Sequence, residues 1–93
     1  MNKDLEKLFF NPVRLKIISF LISVQRSNFK NLSEISGATK GNLSIQLKKL
    51  SEAGYIKIIK SFEKNYPKTI CSITNKGKKS FELFFKVLQS YNK

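Results

Sequence analysis

The chain has 93 residues and a formal net charge of +12, from 18 basic and six acidic residues. This length predicts one domain over residues 1–93, with a modest core. One cysteine and no histidine exclude an intrachain disulfide and a zinc site of the usual Cys/His type, and no cofactor is indicated. We expect no enzymatic activity, because the sequence has no histidine, no paired carboxylates and no phosphate-binding glycine loop.

The positive charge is concentrated in the middle of the chain. Residues 40–79 contain ten lysines and two glutamates, a local excess that favours a nucleic acid or an acidic membrane surface as partner. A membrane surface is disfavoured because the lysines are not gathered on one amphipathic segment. We also expect no transmembrane helix, no signal peptide and a cytoplasmic location, since no apolar run approaches the roughly 20 residues that span a bilayer.

The first part of the chain predicts two helices. Apolar residues between positions 5 and 9 indicate a short amphipathic segment. Asn11 and Pro12 then form a typical helix start, with asparagine as the N-cap and proline at the first helical position. Apolar residues at helical spacing continue to residue 24, on two strips, and a polar connection is expected over residues 25–30.

A helix-turn-helix is predicted next. Asn31 and Glu34 have capping-box spacing before a short helix over residues 32–36, which Gly37 ends. Thr39 can cap a second helix over residues 39–53, with Gly54 at its C-terminal end. Three leucines of this helix share one stripe, which indicates a buried side: Leu43, Leu47 and Leu50.

After Gly54 the periodicity changes to that of strands. YIKIIKSF and TICSIT are β-rich and flank a predicted turn, EKNYPK. Thr74 can then cap a last helix over about residues 75–91. The predicted fold is therefore mainly α with a small β-hairpin: a winged helix-turn-helix with extra N- and C-terminal helices. A helical bundle with an incidental hairpin is the alternative.

Three segments carry a resemblance to a known family: NPVRLKIISFL at 11–21, residues 29–69 with GNLSIQLKKLSEAGY and YPKT, and ITNKGKKSFELF at 73–84. Together they resemble the small winged-helix DNA-binding transcriptional regulators of the MarR/ArsR-like superfamily. The resemblance implies a dimer on near-palindromic duplex DNA, with helix 39–53 in the major groove and loop 61–68 as the wing. Gln46 stands where the family often has histidine, at a position that flanks the helix and can touch either the core or a phosphate. Ser51 stands where the family often has glutamate. Metal sensing is not implied, because the Cys/His clusters it uses are absent from the sequence.

The candidate DNA-binding residues lie on the predicted second helix and wing. Asn42 and Gln46 can each pair with adenine, Gly41 permits close approach, and the lysines suit phosphate contacts. A plain helix start and a solvated lysine-rich loop are the alternatives. The candidates are Thr39, Lys40, Gly41, Asn42, Ser44, Ile45, Gln46, Lys48, Lys49, Lys60, Lys64 and Lys68.

The terminal helices carry more apolar residues than one narrow stripe needs, which suggests dimerisation. The alternative is that these side chains fill the core of a monomer. The candidates are Leu5, Leu8, Phe9, Phe81, Phe84, Phe85, Leu88 and Tyr91.

The leading functional hypothesis is a sequence-specific regulator that binds double-stranded DNA as a homodimer. A winged-helix module for protein interaction and a non-specific architectural DNA- or RNA-binding protein are the alternatives. The sequence indicates no small-molecule effector.

Overall fold

Five helices and a three-stranded antiparallel sheet follow one another in the computed structural model, which describes residues 3–91. The order is helix-rich first, then a hairpin, then a last helix, as the sequence predicts. The elements are α1 (Lys3–Phe9), α2 (Pro12–Val24), β1 (Arg26–Asn28), α3 (Phe29–Ser36), α4 (Lys40–Glu52), β2 (Ile56–Glu63), β3 (Tyr66–Ile73) and α5 (Asn75–Ser90).

Three of the predicted helix starts are confirmed by their capping hydrogen bonds. The side-chain oxygen of Asn11 accepts from the amide of Arg14 at 3.0 Å, with Pro12 at the first helical position. Thr39 accepts from the amide of Asn42 at 3.2 Å at the start of α4, and Thr74 caps α5 in the same way. Each bond satisfies an amide that the first helical turn leaves without a partner.

Gly54 ends α4 in the predicted way. Its φ of 82° lies in the left-handed region that glycine adopts without a steric cost. The amide of Gly54 donates to the carbonyl of Ser51, and the amide of Tyr55 donates to the carbonyl of Leu50. This pair of bonds is a Schellman motif, which satisfies the last carbonyls of the helix and turns the chain into β2.

The start of α3 differs from the prediction. The N-cap is Asn28, whose side-chain oxygen accepts from the amide of Asn31 at 2.8 Å. Asn31 itself is helical, so the prediction that it caps a helix from residue 32 was wrong. The helix begins at Phe29 because Asn28 ends a strand in extended conformation and can turn its side chain onto the first helical turn.

The predicted connection over residues 25–30 contains a strand that the sequence analysis missed. β1 pairs antiparallel with β3, with Ser27 opposite Cys71, so the strand order is β1-β3-β2. A strand of three polar residues is too short to show the alternation of apolar and polar side chains that identifies a strand in a sequence. The strand is defined by its backbone hydrogen bonds to β3, which lies far away in the sequence.

The hairpin is tighter than the predicted turn. β2 continues to Glu63 and β3 begins at Tyr66, so the turn is the two residues Lys64 and Asn65. Their φ angles of 51° and 68° are those of a type I′ turn, which matches the twist of the flanking strands. The wing, residues 61–68, therefore consists of two paired strand ends joined by this two-residue turn, and it is not an open loop.

The core lies between α2, α4, α5 and the inner face of the sheet. The leucine stripe of α4 is buried as predicted, in the same core cluster as Ile17 and Leu21 of α2. Phe9 at the end of α1 is fully buried, with ring centroids 5.5 Å from Tyr55 and 5.0 Å from Phe84.

This burial corrects part of the predicted dimer interface. Leu5, Phe9 and Phe84 are 5%, 0% and 1% exposed, so they fill the core of the protomer and present no surface to a partner. The aromatic excess of the last helix is thus used partly in the chain's own core, which is the alternative interpretation.

Candidate nucleic-acid interface

The side of α4 opposite the leucine stripe is exposed, small and basic. We call it the outer face of α4. It comprises Lys40, Gly41, Asn42, Ser44, Ile45, Lys48 and Lys49, all of them exposed. The side chain of Ile45 is 55% exposed, and the acid on this helix, Glu52, lies at its last residue. Within α4, no acidic side chain therefore stands at the N-terminal end, where the helix dipole also favours an anion, although Glu34 of α3 lines the same groove as Lys40.

Two open grooves lie between the outer face of α4 and the β2–β3 hairpin. One, of about 380 Å³, is lined by Ser44 and Lys48 of α4 and by Lys60 of β2. The other, of about 620 Å³, is lined by Lys40 of α4 and Lys68 of β3. Candidate lysines that are distant in sequence therefore line the same concave surface. Such a surface can accommodate a negatively charged polymer backbone between the helix and the hairpin.

The wing tip combines charge with exposed aromatic rings. Lys64 occupies the turn, and Phe62 and Tyr66 beside it are 80% and 74% exposed. Lys68 forms an ion pair with Glu63 across the hairpin at 2.9 Å. The positive charge of Lys68 is consequently compensated in the free protein, so a phosphate would have to compete with Glu63.

The turn between α3 and α4 is fixed by side-chain hydrogen bonds. Gly37 has a φ of 70° and ends α3 with its amide donating to the carbonyl of Ser33. The hydroxyl of Ser33 donates to the carbonyl of Ala38 at 3.1 Å, and the hydroxyl of Ser36 accepts from the amide of Ala38 at 3.3 Å. These bonds hold the start of α4 in place relative to α3.

Comparison with known proteins identifies the family. Residues 13–92 match the model of a family described as a winged helix DNA-binding domain.

The chain belongs to this family.

A related sequence and two solved structures extend the identification of the winged-helix domain. An uncharacterised protein from Methanocaldococcus jannaschii is 40% identical over 84 residues, which cover 89% of this chain and 91% of that protein. The structure of a transcriptional regulator homologue from Pyrococcus horikoshii has a TM-score of 0.84 and 28% identity, over 96% of this chain and 90% of that one. The crystal structure of MarR has a TM-score of 0.78 over 97% of this chain and 65% of that one; at 19% identity it shows the fold alone.

Gln46 is a candidate DNA-binding residue that lies inside the winged-helix domain. Its side chain is 8% exposed, and its carbonyl oxygen accepts a hydrogen bond from the guanidinium of Arg14. Its amide nitrogen donates to the side-chain oxygen of Asn42 at 2.9 Å. The predicted contact of Gln46 with adenine was therefore wrong, because both ends of its amide are already bonded inside the protein.

Arg14 is a residue that the sequence analysis missed. It is 8% exposed and donates from Nε to the carbonyl of Leu8 at 2.6 Å and from one terminal nitrogen to the carbonyl of Lys7 at 3.2 Å. Burial lowers the pKa of the Arg14 guanidinium. Two of its acceptors are carbonyls at the end of α1, where the helix dipole favours a cation. Spacing could have identified it, since Arg14 lies three and four residues before Ile17 and Ile18 on the buried strip.

The described part of the chain contains no cluster of three His, Cys, Asp or Glu side chains that could hold a metal ion. Cys71 is buried, and burial raises the pKa of its thiol to about 11, so the reactive thiolate is scarce at neutral pH. No helix among residues 3–91 combines the length and apolar character needed to cross a membrane.

Proposed function

We propose that this winged-helix domain is a transcriptional regulator that recognises a specific sequence in double-stranded DNA. The outer face of α4 enters the major groove, and the wing contacts the flanking backbone or minor groove. Membership of a DNA-binding family and the likeness to the Pyrococcus regulator homologue support this function. Recognition of DNA in this way requires no covalent chemistry, so the proposed role is binding without catalysis.

The shared grooves carry the proposal. Lysines from α4 and from the hairpin line the same two concave surfaces, although 12 and 28 residues separate the pairs Lys48–Lys60 and Lys40–Lys68. A recognition helix places its N-terminal residues on base edges while neighbouring elements hold phosphates. Small residues such as Gly41 and Ser44 on the outer face permit close approach of the helix to the bases.

Selection of bound duplexes from a random pool, at two salt concentrations, tests this function. A site-specific regulator enriches a defined motif at both concentrations, and the motif is sharper at the higher one, where the sequence-independent electrostatic binding is weakened. Enrichment of no motif, with binding lost uniformly as salt rises, would instead identify a non-specific coating protein. Absence of binding at low salt would favour the protein-interaction alternative.

We infer that the active form is a homodimer. Four large apolar or aromatic side chains remain exposed around α5 and the end of α1, from 48% for Leu83 to 61% for Phe10: Phe10, Leu83, Phe85 and Tyr91. Of the originally predicted set, Phe85 and Tyr91 are exposed and Leu8, Phe81 and Leu88 are half-buried. A second copy packed against α5 would cover part of this exposed apolar area and align two recognition helices with two half-sites.

Sedimentation at micromolar concentration tests the dimer. The wild type should sediment as a dimer, and Phe85→Glu should shift it toward the monomer, because the charge would be buried without a partner. Lys86→Glu, a charge change on the neighbouring exposed position of α5, serves as the matched control. A wild type that sediments as a monomer would contradict the proposal.

The wing tip favours one second candidate function, binding of single-stranded nucleic acid. Exposed Phe62 and Tyr66 offer rings on which unpaired bases can stack, and lysines surround them. Competition of a labelled duplex by single-stranded DNA or RNA distinguishes the two functions. A duplex-specific regulator retains its duplex in the presence of equal single strand, whereas a single-strand binder releases it.

A further inference from the structure

Two hydrogen bonds join three side chains in a row that runs from the core to the outer face of α4. Arg14 donates to Gln46, and Gln46 donates to Asn42. We propose that this hydrogen-bond chain fixes the amide of Asn42 with its N–H groups toward DNA, so that Asn42 selects bases presenting hydrogen-bond acceptors. The inference rests on the proposed function and names Asn42 as a specificity residue, with Arg14 and Gln46 as positioning residues.

Arg14 determines which group in each of these hydrogen bonds is the donor and which is the acceptor. A guanidinium has five N–H donors and no acceptor, and it stays charged in proteins. Arg14 is held at the end of α1 by the carbonyls of Lys7 and Leu8. The group of Gln46 that faces it must therefore be the carbonyl oxygen, whichever way the amide would otherwise turn.

The orientation of the Gln46 amide in turn determines the orientation of the Asn42 amide at the surface. With its oxygen on Arg14, its amide nitrogen points one helical turn back, to Asn42 at position i−4. An amide N–H can bond only to an acceptor, so Asn42 must supply its own oxygen at 2.9 Å. Among the described residues the Nδ2 group of Asn42 has no protein partner, and the side chain is exposed.

The chemistry of the major groove converts this orientation into a base preference. Guanine presents two acceptors and thymine one acceptor in the groove, whereas cytosine presents only a donor. An outward NH₂ group therefore favours guanine or thymine over cytosine. A paired contact with adenine is weakened, because one lone pair of the Asn42 oxygen is already turned inward to Gln46. The adenine preference expected from the sequence is replaced by this prediction.

Substitution Gln46→Glu tests the proposal without altering a residue on the DNA surface. The glutamate gives one oxygen to Arg14 and turns the other toward Asn42. Asn42 must then donate from Nδ2 and present its oxygen outward. In duplex selection, the preference at one position should change from guanine or thymine to a donor-bearing cytosine or adenine, by about tenfold. A merely structural role of Gln46 would weaken binding to all duplexes and leave the preferred base unchanged.

Two further variants complete the design. Gln89→Glu makes the same charge change at an exposed position of α5 and should keep the wild-type motif. Asn42→Asp, at an exposed position, keeps an oxygen for Gln46 and replaces the outward N–H groups by oxygen, so it should show the same change of base even where Gln46→Glu folds poorly.

Each result separates this inference from the proposed function. A wild type that enriches no motif refutes the proposed function itself. A wild type that enriches a motif which both Gln46→Glu and Asn42→Asp retain at every position overturns the hydrogen-bond chain alone. A change of base in Gln46→Glu from guanine or thymine to cytosine or adenine, with the motif kept by Gln89→Glu, supports it. A change in Asn42→Asp alone, while folded Gln46→Glu keeps the motif, overturns the positioning role of Gln46.

Discussion

Gly77 packs directly against the backbone carbonyl of Tyr55, so the start of α5 lies against the segment between α4 and β2. A methyl group at position 77 would overlap the Tyr55 oxygen and lie 2.9 Å from Cδ1 of Ile73. The same Tyr55 carbonyl accepts from the amide of Thr74 at 3.1 Å. The hydroxyl of Thr74 shares its one proton between the carbonyls of Gly54 and Tyr55, at 2.7 and 3.0 Å, and accepts from the amide of Gly77. The close approach thus anchors α5 to the segment that follows α4.

Replacement of Gly77 by alanine should destabilise the fold. The opposing atoms belong to the backbone and cannot rotate away, so the chain must shift, at a cost of about 1–3 kcal/mol. The free energy of unfolding from urea titration measures this cost. Gly41→Ala is the matched control, because a Cβ at Gly41 meets no atom within 4 Å, and its stability should rise by about 0.5–1 kcal/mol. Equal midpoints for wild type and Gly77→Ala would show that the contact is not formed.

Local signals predicted most of the fold. Asn11, Thr39 and Thr74 were recognised as caps because the capping bond joins residues three apart, within reach of a sequence pattern. Gly54 was recognised because a left-handed φ at a helix end requires it. The leucine stripe of α4 followed from helical spacing alone. These features are encoded by neighbours in the chain, so the order of elements could be derived before the structure.

Features that depend on distant partners could not be predicted. β1 exists because residues 26–28 pair with β3 more than 40 positions later. The burial of Gln46 depends on Arg14, 32 residues earlier in the chain. In the candidate site, exposure of the α4 and wing lysines agrees with the sequence, whereas the pairing of Lys68 with Glu63 and the orientation of Asn42 emerge only from the folded arrangement.

Loss of a phosphate-binding lysine should lower the salt dependence of DNA binding. Lys48→Ala and Lys64→Ala each remove an exposed charge from the proposed interface. For each lost phosphate contact, the slope of log K against log salt should become shallower by about 0.9. Titration of a labelled duplex at several salt concentrations measures the slope. Lys86→Ala, an exposed lysine of α5, should leave it unchanged. Slopes in Lys48→Ala and Lys64→Ala that match the Lys86→Ala slope would remove both lysines from the interface.

Release of Lys68 from its ion pair should strengthen DNA binding. Glu63→Gln removes the acid that faces Lys68 and leaves a side chain of similar shape. We expect affinity for duplex DNA to rise about two- to fivefold, with a steeper salt slope, because Lys68 no longer exchanges one partner for another. Glu82→Gln makes the same charge change on an exposed position of α5 and provides the comparison. An equal gain in both variants would attribute the effect to net charge and not to Lys68.

Cys71 should make stability fall at alkaline pH. Burial raises the pKa of its thiol from the ordinary 9.0 to about 11 in the folded protein. The folded state therefore holds the proton more tightly than the unfolded chain, so the stabilisation is complete below pH 9 and is lost as the pH rises from about 9 to about 11. Cys71→Ala lacks this ionisation while retaining every lysine and tyrosine. The free energy of unfolding, measured across this range, should fall more steeply for the wild type than for Cys71→Ala. Parallel curves would show that the thiol ionises equally in both states.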